Sequence, residues 1–191
     1  MRLFVALQIP DSIRNEYAKL IDDLRRFDAK TAKRKPKWVR PDNLHVTLKF
    51  IGHTDAGKLD SIRAALAKVR SPKPIQLQFG TIGFFPNESR PRVIWGGIRA
   101  SENLAPLAHE VDQQIATLGF AAEERAFTPH LTLARLDPPG IGPDLRSEIG
   151  KQATRDFGVL HTSEFHLIES KLKPSGAEYT TLQSFPFVSE V

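Results

Sequence analysis

Two short stretches, His45-Val46-Thr47-Leu48 and His130-Leu131-Thr132-Leu133, share the pattern His-x-Thr-Leu and lie in different halves of this 191-residue chain. A chain of this composition would contain the pattern about 0.04 times by chance, so two copies indicate an internal repeat. Both copies lie in segments rich in β-forming residues. We therefore expect one copy on a strand in each half.

Strand geometry divides each motif between two faces. Successive side chains point to opposite sides of a strand, so the His and Thr share one face and the two apolar residues share the other. The apolar face packs against a core, and the polar face is free to line a groove. If an approximate two-fold axis relates the halves, two histidines and two threonines converge on one groove, which makes a site of phosphate size.

A pair of histidines suits paired proton transfer, because the ordinary pKa of imidazole is about 6.5. One ring can accept a proton from an attacking hydroxyl while the other donates one to a leaving alkoxide, each worth about 10²- to 10⁴-fold in rate. Threonine hydroxyls can donate hydrogen bonds to phosphoryl oxygens. Neither motif has a third or fourth metal ligand at a recognised spacing, so we expect no metal.

Composition narrows the functional classes further. The chain has 27 basic and 22 acidic residues and a net charge of +5, which favours polyanionic partners such as RNA or phosphorylated small molecules. No apolar run approaches the roughly 18 residues of a membrane span, and the first ten residues do not read as a secretion signal. The chain has no cysteine, which excludes disulfides, thiolate metal sites and cysteine nucleophiles. We expect a cytoplasmic protein without membrane contact.

The order of elements is similar in the two halves. Hydrophobic periodicity and turn residues predict helices that begin at Asp11, at Thr54 or Asp55, at Ser101 and at Asp144. They predict strands at residues 2–9, 44–51, 75–85, 92–98, 130–136, 160–169 and 179–187. The expected fold is α+β, a single domain over residues 1–191 made of two pseudo-symmetric lobes with mainly antiparallel sheets, outer helices and a central groove.

The segment from Lys30 to Arg40 is strongly basic and contains Pro36, so we expect an exposed loop. This loop either follows an RNA backbone, with an aromatic ring stacked on a base, or is simply solvated. Its candidate RNA contacts are Lys33, Arg34, Lys35, Lys37 and Trp38. Phe4 is a further candidate RNA contact, although its apolar strand pattern favours a place in the core.

The repeated motif resembles that of the 2H phosphoesterase superfamily. Other stretches are similar to its RNA 2′,3′-cyclic phosphodiesterase branch, also called the 2′-5′ RNA ligase family. They are residues 2–7, 43–52, 92–95, 129–135, 169–172 and 179–182. The similarity covers nearly the whole chain.

This resemblance implies a bilobal 2H phosphoesterase-like fold, no cofactor, and hydrolysis of a terminal 2′,3′-cyclic phosphate on RNA to a 2′-phosphate. Some members also join RNA ends by the reverse reaction. By the same resemblance the catalytic positions are His45, Thr47, His130 and Thr132, with Thr47 and Thr132 binding phosphate, and Arg135 matches an arginine that contacts phosphate. Arg135 follows His130 by five residues, so it reaches the groove only if the strand ends or bulges near Ala134.

We expect His130 to activate water and His45 to protonate the departing 3′-oxygen, with exchanged roles as the alternative. Two other functions stay open: a non-catalytic RNA-binding module, and a cyclic phosphodiesterase of a small nucleotide such as ADP-ribose cyclic phosphate. The intact motifs favour the enzyme. Its expected partner is an RNA or oligonucleotide with a 2′,3′-cyclic phosphate end, and we expect a monomer.

Overall fold

Helices are interspersed among the strands in the computed structural model, which describes residues 1–31, 36–71, 73–174 and 176–187, with the backbone alone over 28–31. The strands are β1 Arg2–Gln8, β2 Lys37–Trp38, β3 His45–His53, β4 Ile75–Phe85, β5 Val93–Ala100, β6 His130–Arg135, β7 Asp156–Thr162, β8 Glu164–Lys173 and β9 Gly176–Pro186. The α-helices are α1 Asp11–Thr31, α2 Leu59–Leu66, α3 Leu104–Ala116 and α4 Pro143–Lys151.

Helix α1 illustrates how the sequence pattern produces an element. Pro10 ends β1, and Asp11 places a negative charge in the first turn, where it interacts favourably with the helix dipole. Apolar residues then recur every three or four positions and are buried: Ile13, Tyr17, Leu20, Ile21 and Leu24. This helix, the hairpin of β4 and β5, and both motif strands agree with the sequence prediction.

The prediction of a single strand at 160–169 is wrong. The chain forms two strands that meet at Ser163, where the Thr162 hydroxyl lies 3.1 Å from the Glu164 carbonyl oxygen. Strand β7 pairs with β4, whereas β8 pairs with β1. Four consecutive polar residues, 161–164, lie at the bend, but a polar run of this length does not by itself show that the chain changes strand partners there.

Two smaller predictions also need correction. Ser101 does not cap α3, which begins at Leu104, because the Ser101 hydroxyl instead accepts a hydrogen bond from the Gln76 backbone N–H at 3.0 Å. The basic segment from Lys30 to Arg40 is not a loop throughout. Helix α1 extends to Thr31, and strand β2 pairs with β6 through Lys37 and Trp38.

The described strands form one sheet in the order β7-β4-β5-β6-β3-β1-β8-β9, with β2 added beside β6. Every strand pairing is antiparallel. The two motif strands, β3 and β6, are neighbours at the middle of this order. The sheet therefore has two four-strand halves that meet at the motifs, and the predicted α+β fold with antiparallel sheets is confirmed.

The chain exchanges elements between these halves. One half combines β1 and β3 with the C-terminal β8 and β9, and the other contains β4 to β7. Helix α1, which follows β1, packs against α4 and β7, whereas α3, which precedes β6, packs against β3. The first and second halves of the sequence are thus not the two halves of the sheet, and both depend on distant segments.

The two faces of β1 show how the layers are arranged. Leu3, Val5 and Leu7 belong to the main core, which also contains the inner faces of the helices. Phe4 and Ala6 belong to a smaller apolar cluster on the opposite face, with Ile168 and Tyr179. Helices cover one face of the sheet, and the second face is left to form a concave surface. Among the described residues, no helix is both long enough and apolar enough to cross a lipid bilayer.

Candidate active site

The register of β3 and β6 brings the two motifs together. Val46 lies directly opposite Leu131 in an antiparallel pairing, and both residues are fully buried. Continued one residue in each direction, this register places His45 opposite Thr132 and Thr47 opposite His130. Residues opposite each other across a sheet point to the same face, so both His-x-Thr pairs lie on the concave surface.

Each motif strand contains a β-bulge at its fourth position. In β3, Thr47 pairs with Ala6 and Lys49 with Val5, so Leu48 is the extra residue. In β6, Thr132 pairs with Trp95 and Ala134 with Ile94, so Leu133 is the extra residue. Both strands consequently bury two consecutive residues after the threonine.

The bulges decide where the next side chain points. An extra residue reverses the alternation of faces, so the residue five positions after each histidine returns to the concave face. In β6 this residue is Arg135, which lines the same cavity as Thr132. In β3 the equivalent residue is Phe50, which lines it too. The bulge that Arg135 required near Ala134 is present.

Both histidine rings are oriented by a backbone carbonyl two residues earlier. His45 Nδ1 lies 2.7 Å from the Asn43 carbonyl oxygen, and His130 Nδ1 lies 2.8 Å from the Thr128 carbonyl oxygen. A carbonyl oxygen only accepts, so each Nδ1 carries the hydrogen and each Nε2 is left for a substrate. Asn43 ends a short 3₁₀ turn, and its Nδ2 donates to the Ala177 carbonyl oxygen at 2.7 Å, which connects the turn to β9.

Aromatic side chains surround each histidine. The His45 ring lies 4.7 Å from the Phe4 ring and 5.3 Å, edge-on, from the Tyr179 ring. The His130 ring lies edge-on to Phe85 at 5.2 Å. These contacts restrict the rotation of both imidazoles, and they lower the polarity around His45 in particular.

A cavity of about 400 Å³ opens on the concave face. From the motif strands it is lined by His45, Thr47, Phe50, Thr132 and Arg135. His130 does not line the cavity itself but lies beside it, near enough for its charge to act on His45. The lining contains no carboxylate among the described residues, so the cavity suits an anion.

Burial and neighbouring charge affect the titratable groups in the cavity. Burial lowers the pKa of His45 below its ordinary value, the Asn43 carbonyl opposes this, and the positive charges of His130 and Arg135 lower it further. Burial raises the pKa of Tyr179, and the charges of Arg135 and Arg2 oppose that shift. In the empty cavity His45 is therefore mostly neutral at neutral pH.

Comparison with known proteins identifies the family. The family model described as LigT like Phosphoesterase matches residues 7–95 and 98–179. The chain belongs to the LigT-like phosphoesterase family. The 2H phosphoesterase resemblance inferred from the repeated motif is thereby confirmed.

Relatives of similar length support this assignment. The chain is 34% identical over 185 residues to an RNA 2′,3′-cyclic phosphodiesterase of Archaeoglobus fulgidus. The matched region covers 97% of this chain and 99% of the relative. It is 35% identical over 185 residues to a protein of the same name from Methanocaldococcus jannaschii, covering 97% and 100%.

Solved structures of the family have the same fold. The crystal structure of TT0787 of Thermus thermophilus superposes with a TM-score of 0.79 at 28% identity and covers 98% of both chains. E. coli LigT complexed with 3′-AMP superposes with a TM-score of 0.76 at 26% identity and covers 97% of both chains. The bilobal LigT-like fold is confirmed.

The proposed RNA contacts outside the motifs lie in several places. Lys33, Arg34 and Lys35 are outside the described residues. Lys37 is exposed on β2, and Trp38 is half-buried against the core with its indole Nε1 buried and without a described hydrogen-bond partner. Neither Lys37 nor Trp38 lines the cavity. Phe4 lines the cavity but is only 3% exposed, so its ring packs against His45.

Three site residues had no role in the sequence analysis: Asn43, Phe50 and Tyr179. Asn43 and Phe50 flank the first motif, and Tyr179 lies in a stretch that resembles the family, so the resemblance carried a signal for all three. Their roles depend on long-range contacts. Tyr179 reaches His45 only because β9 joins the sheet through β8 next to β1.

No three histidine, aspartate or glutamate side chains of the described ranges come close enough together to hold a metal ion. Unlike a metal site, the LigT-like site has imidazole, hydroxyl and guanidinium groups around one cavity. Such groups can exchange protons directly with a bound phosphodiester and can donate hydrogen bonds to it.

Proposed function

We propose that the protein is an RNA 2′,3′-cyclic phosphodiesterase that hydrolyses the terminal cyclic phosphate to a 2′-phosphate. One observation carries the proposal: the register of β3 and β6 places two His-x-Thr pairs on one face beside Arg135, in a cavity without a described carboxylate. The names of the relatives point to the same substrate class. The site is complete within one chain, so we propose a monomeric, single-domain enzyme that acts in the cytoplasm.

The proposed reaction needs one base and one acid. Water attacks phosphorus and gives a proton to His130 Nε2, while the bond from phosphorus to the 3′-oxygen breaks. His45 Nε2 donates a proton to that oxygen, which leaves a 2′-phosphate and a free 3′-hydroxyl. The hydroxyls of Thr47 and Thr132 and the guanidinium of Arg135 hydrogen-bond the non-bridging oxygens, where negative charge increases in the transition state.

The carbonyl contacts at Nδ1 support acid–base catalysis by both rings. They leave Nε2 of a neutral ring as an acceptor and Nε2 of a charged ring as a donor, so either histidine is chemically able to play either part. With the 5′-hydroxyl of a second RNA in place of water, the same groups displace the 3′-oxygen and form a 2′-5′ bond. This is the reverse of 2′-5′ bond cleavage, and it gives joining of RNA ends as a weaker activity. The chemistry requires no metal or cofactor.

The test is an assay with an oligonucleotide that ends in a 2′,3′-cyclic phosphate, in the presence of excess chelator. We expect sustained turnover and a 2′-phosphate product. Binding without turnover would instead identify a non-catalytic RNA-binding module, and faster turnover of ADP-ribose cyclic phosphate would identify a small-nucleotide enzyme. A 3′-phosphate product would contradict the proposed leaving group.

The lowered pKa of His45 predicts a specific pH dependence. If His45 is the acid, it must be protonated, so kcat/KM falls as pH rises through the lowered pKa of the free enzyme. Bound phosphate is an anion and raises the pKa of His45, so the fall in kcat should occur at higher pH than the fall in kcat/KM.

Steady-state pH profiles measured over pH 4 to 9, with roughly half-unit steps, separate the two assignments. If only the falling limb shifts between the kcat/KM profile and the kcat profile, the result agrees with His45 as the acid. If the rising limb moves instead, His45 is the base and the two roles are exchanged.

A further inference from the structure

The cavity continues beyond the reacting groups, along β1, β3 and β8. Phe50 follows His45 by five residues, a strand length of at most about 16 Å. Arg2 and Leu172 line the same end of the cavity. Leu3 pairs with Glu169, so Arg2 lies level with Ser170, next to the end of the β8–β9 hairpin. The cavity thus extends past the reacting groups to Phe50, Arg2 and Leu172.

Arg2 provides a positive charge that the proposed reaction does not use. It is exposed on the same face of β1 as Phe4 and makes no ion pair with any carboxylate in the described parts of the chain. Glu169, opposite Leu3, is already paired with Lys171 at 3.2 Å. Arg135 lines the same cavity with Thr132, and the charges of Arg135 and Arg2 both act on Tyr179. One cyclic phosphodiester carries one negative charge, so a second guanidinium fits a second phosphate.

Two large apolar side chains are exposed at this same end. Phe50 is 59% exposed and Leu172 is 74% exposed, although both line a cavity. Water-exposed apolar surface is unfavourable, and rings beside a positive groove are the usual platform for nucleobases of single strands. An apolar surface next to an unpaired arginine matches the two parts of a nucleotide, its base and its phosphate.

We propose that Arg2, Phe50 and Leu172 form a subsite for the nucleotide that precedes the cyclic-phosphate end of the RNA. Arg2 binds the phosphodiester that joins the last two nucleotides, and the penultimate base stacks on Phe50 and contacts Leu172. This inference rests on the proposed function, because the subsite is defined relative to the reacting phosphate. It makes the enzyme selective for an oligonucleotide end over a mononucleotide.

The test compares two substrates, a dinucleotide with a 2′,3′-cyclic phosphate end and the corresponding mononucleoside 2′,3′-cyclic phosphate. We expect the wild-type kcat/KM to be higher for the dinucleotide. Arg2→Ala should lower the ratio of the two kcat/KM values about tenfold, because it removes a charge-assisted hydrogen bond. The variant should also make the slope of log kcat/KM against log salt concentration shallower for the dinucleotide, by the amount expected for one lost phosphate contact.

Two further variants separate the base from the phosphate and control for charge. Phe50→Ala should lower the same ratio at least about fivefold by loss of stacking, with the salt dependence unchanged. Arg99→Ala removes the same charge from an exposed strand position outside the cavity and should leave the ratio at its wild-type value. Arg2→Lys should retain part of the wild-type ratio of the two kcat/KM values, because lysine keeps the positive charge.

The outcomes distinguish this subsite from the proposed function. If the wild-type protein hydrolyses both substrates equally well, or if Arg2→Ala lowers both kcat/KM values by the same factor, the subsite is overturned while the activity stands. If neither substrate is hydrolysed, the proposed function itself fails. Thermal unfolding of each variant shows that the exposed substitutions leave the fold intact.

Discussion

Replacing either His45 or His130 by alanine should lower kcat/KM on an oligonucleotide with a 2′,3′-cyclic phosphate end by about 10²- to 10⁴-fold. Each ring supplies one of the two proton transfers, and no other described imidazole lines the cavity to replace it. The double variant should lose little more than the worse single variant, because the two histidines act in one step. Initial rates at saturating and subsaturating substrate measure both effects.

A matched control is available on α3. His109 is exposed on α3, which packs on the face of the sheet opposite the cavity, and it does not line the cavity, so His109→Ala should keep wild-type activity. Far-ultraviolet circular dichroism and thermal unfolding should show that all three single variants are folded. If His45→Ala and His130→Ala both retain more than about a tenth of the wild-type activity, two-histidine catalysis is wrong.

Replacing Lys49 by alanine should lower the free energy of unfolding by about 3–5 kcal/mol. Lys49 is 6% exposed and forms an ion pair with Asp112, itself 8% exposed, and it donates to the Ala121 carbonyl oxygen at 2.6 Å. Asp112 also accepts from the Glu123 backbone N–H at 3.1 Å. The substitution leaves a carboxylate buried without its charged partner, and denaturant unfolding measures the loss.

Two comparisons isolate the cause. Lys151→Ala removes an exposed lysine, 65% accessible, from its pair with Glu148 on α4 and should change stability by less than about 1 kcal/mol. The double variant Lys49→Met, Asp112→Leu removes both buried charges and should recover part of the loss. If Lys49→Ala is no more destabilising than Lys151→Ala, the buried pair does not anchor α3 to β3.

The exchange of elements between the halves of the sheet explains why that anchor matters. Lys49 follows the bulge of the first motif strand, and Asp112 lies on a helix from the second half of the sequence. The pair therefore links segments that the chain places far apart. The cavity, which takes residues from both motif strands, depends on the same long-range assembly.

Local patterns predicted what depends on neighbouring residues. The period of α1, the β4–β5 hairpin and the alternation of His45 and Thr47 against Val46 are fixed by spacing along the chain, and the structure agrees. The split of residues 160–169 into β7 and β8 was missed, because the polar run at 161–164 does not by itself show that the two segments pair with different strands. The cap of α3 was misplaced because Ser101 bonds to Gln76, 25 positions away.

The sequence alone determined the repeated motif, the strand that carries each copy, the face that carries its His and Thr, and the family, since all of these follow from residue type and spacing. Only the tertiary structure decided that β3 and β6 are neighbours in the register Val46 to Leu131, and that Tyr179 reaches His45. It also decided that a bulge turns Arg135 and Phe50 toward the cavity. Strand pairing, bulges and register depend on contacts between distant segments, which the spacing of residues within one segment does not specify.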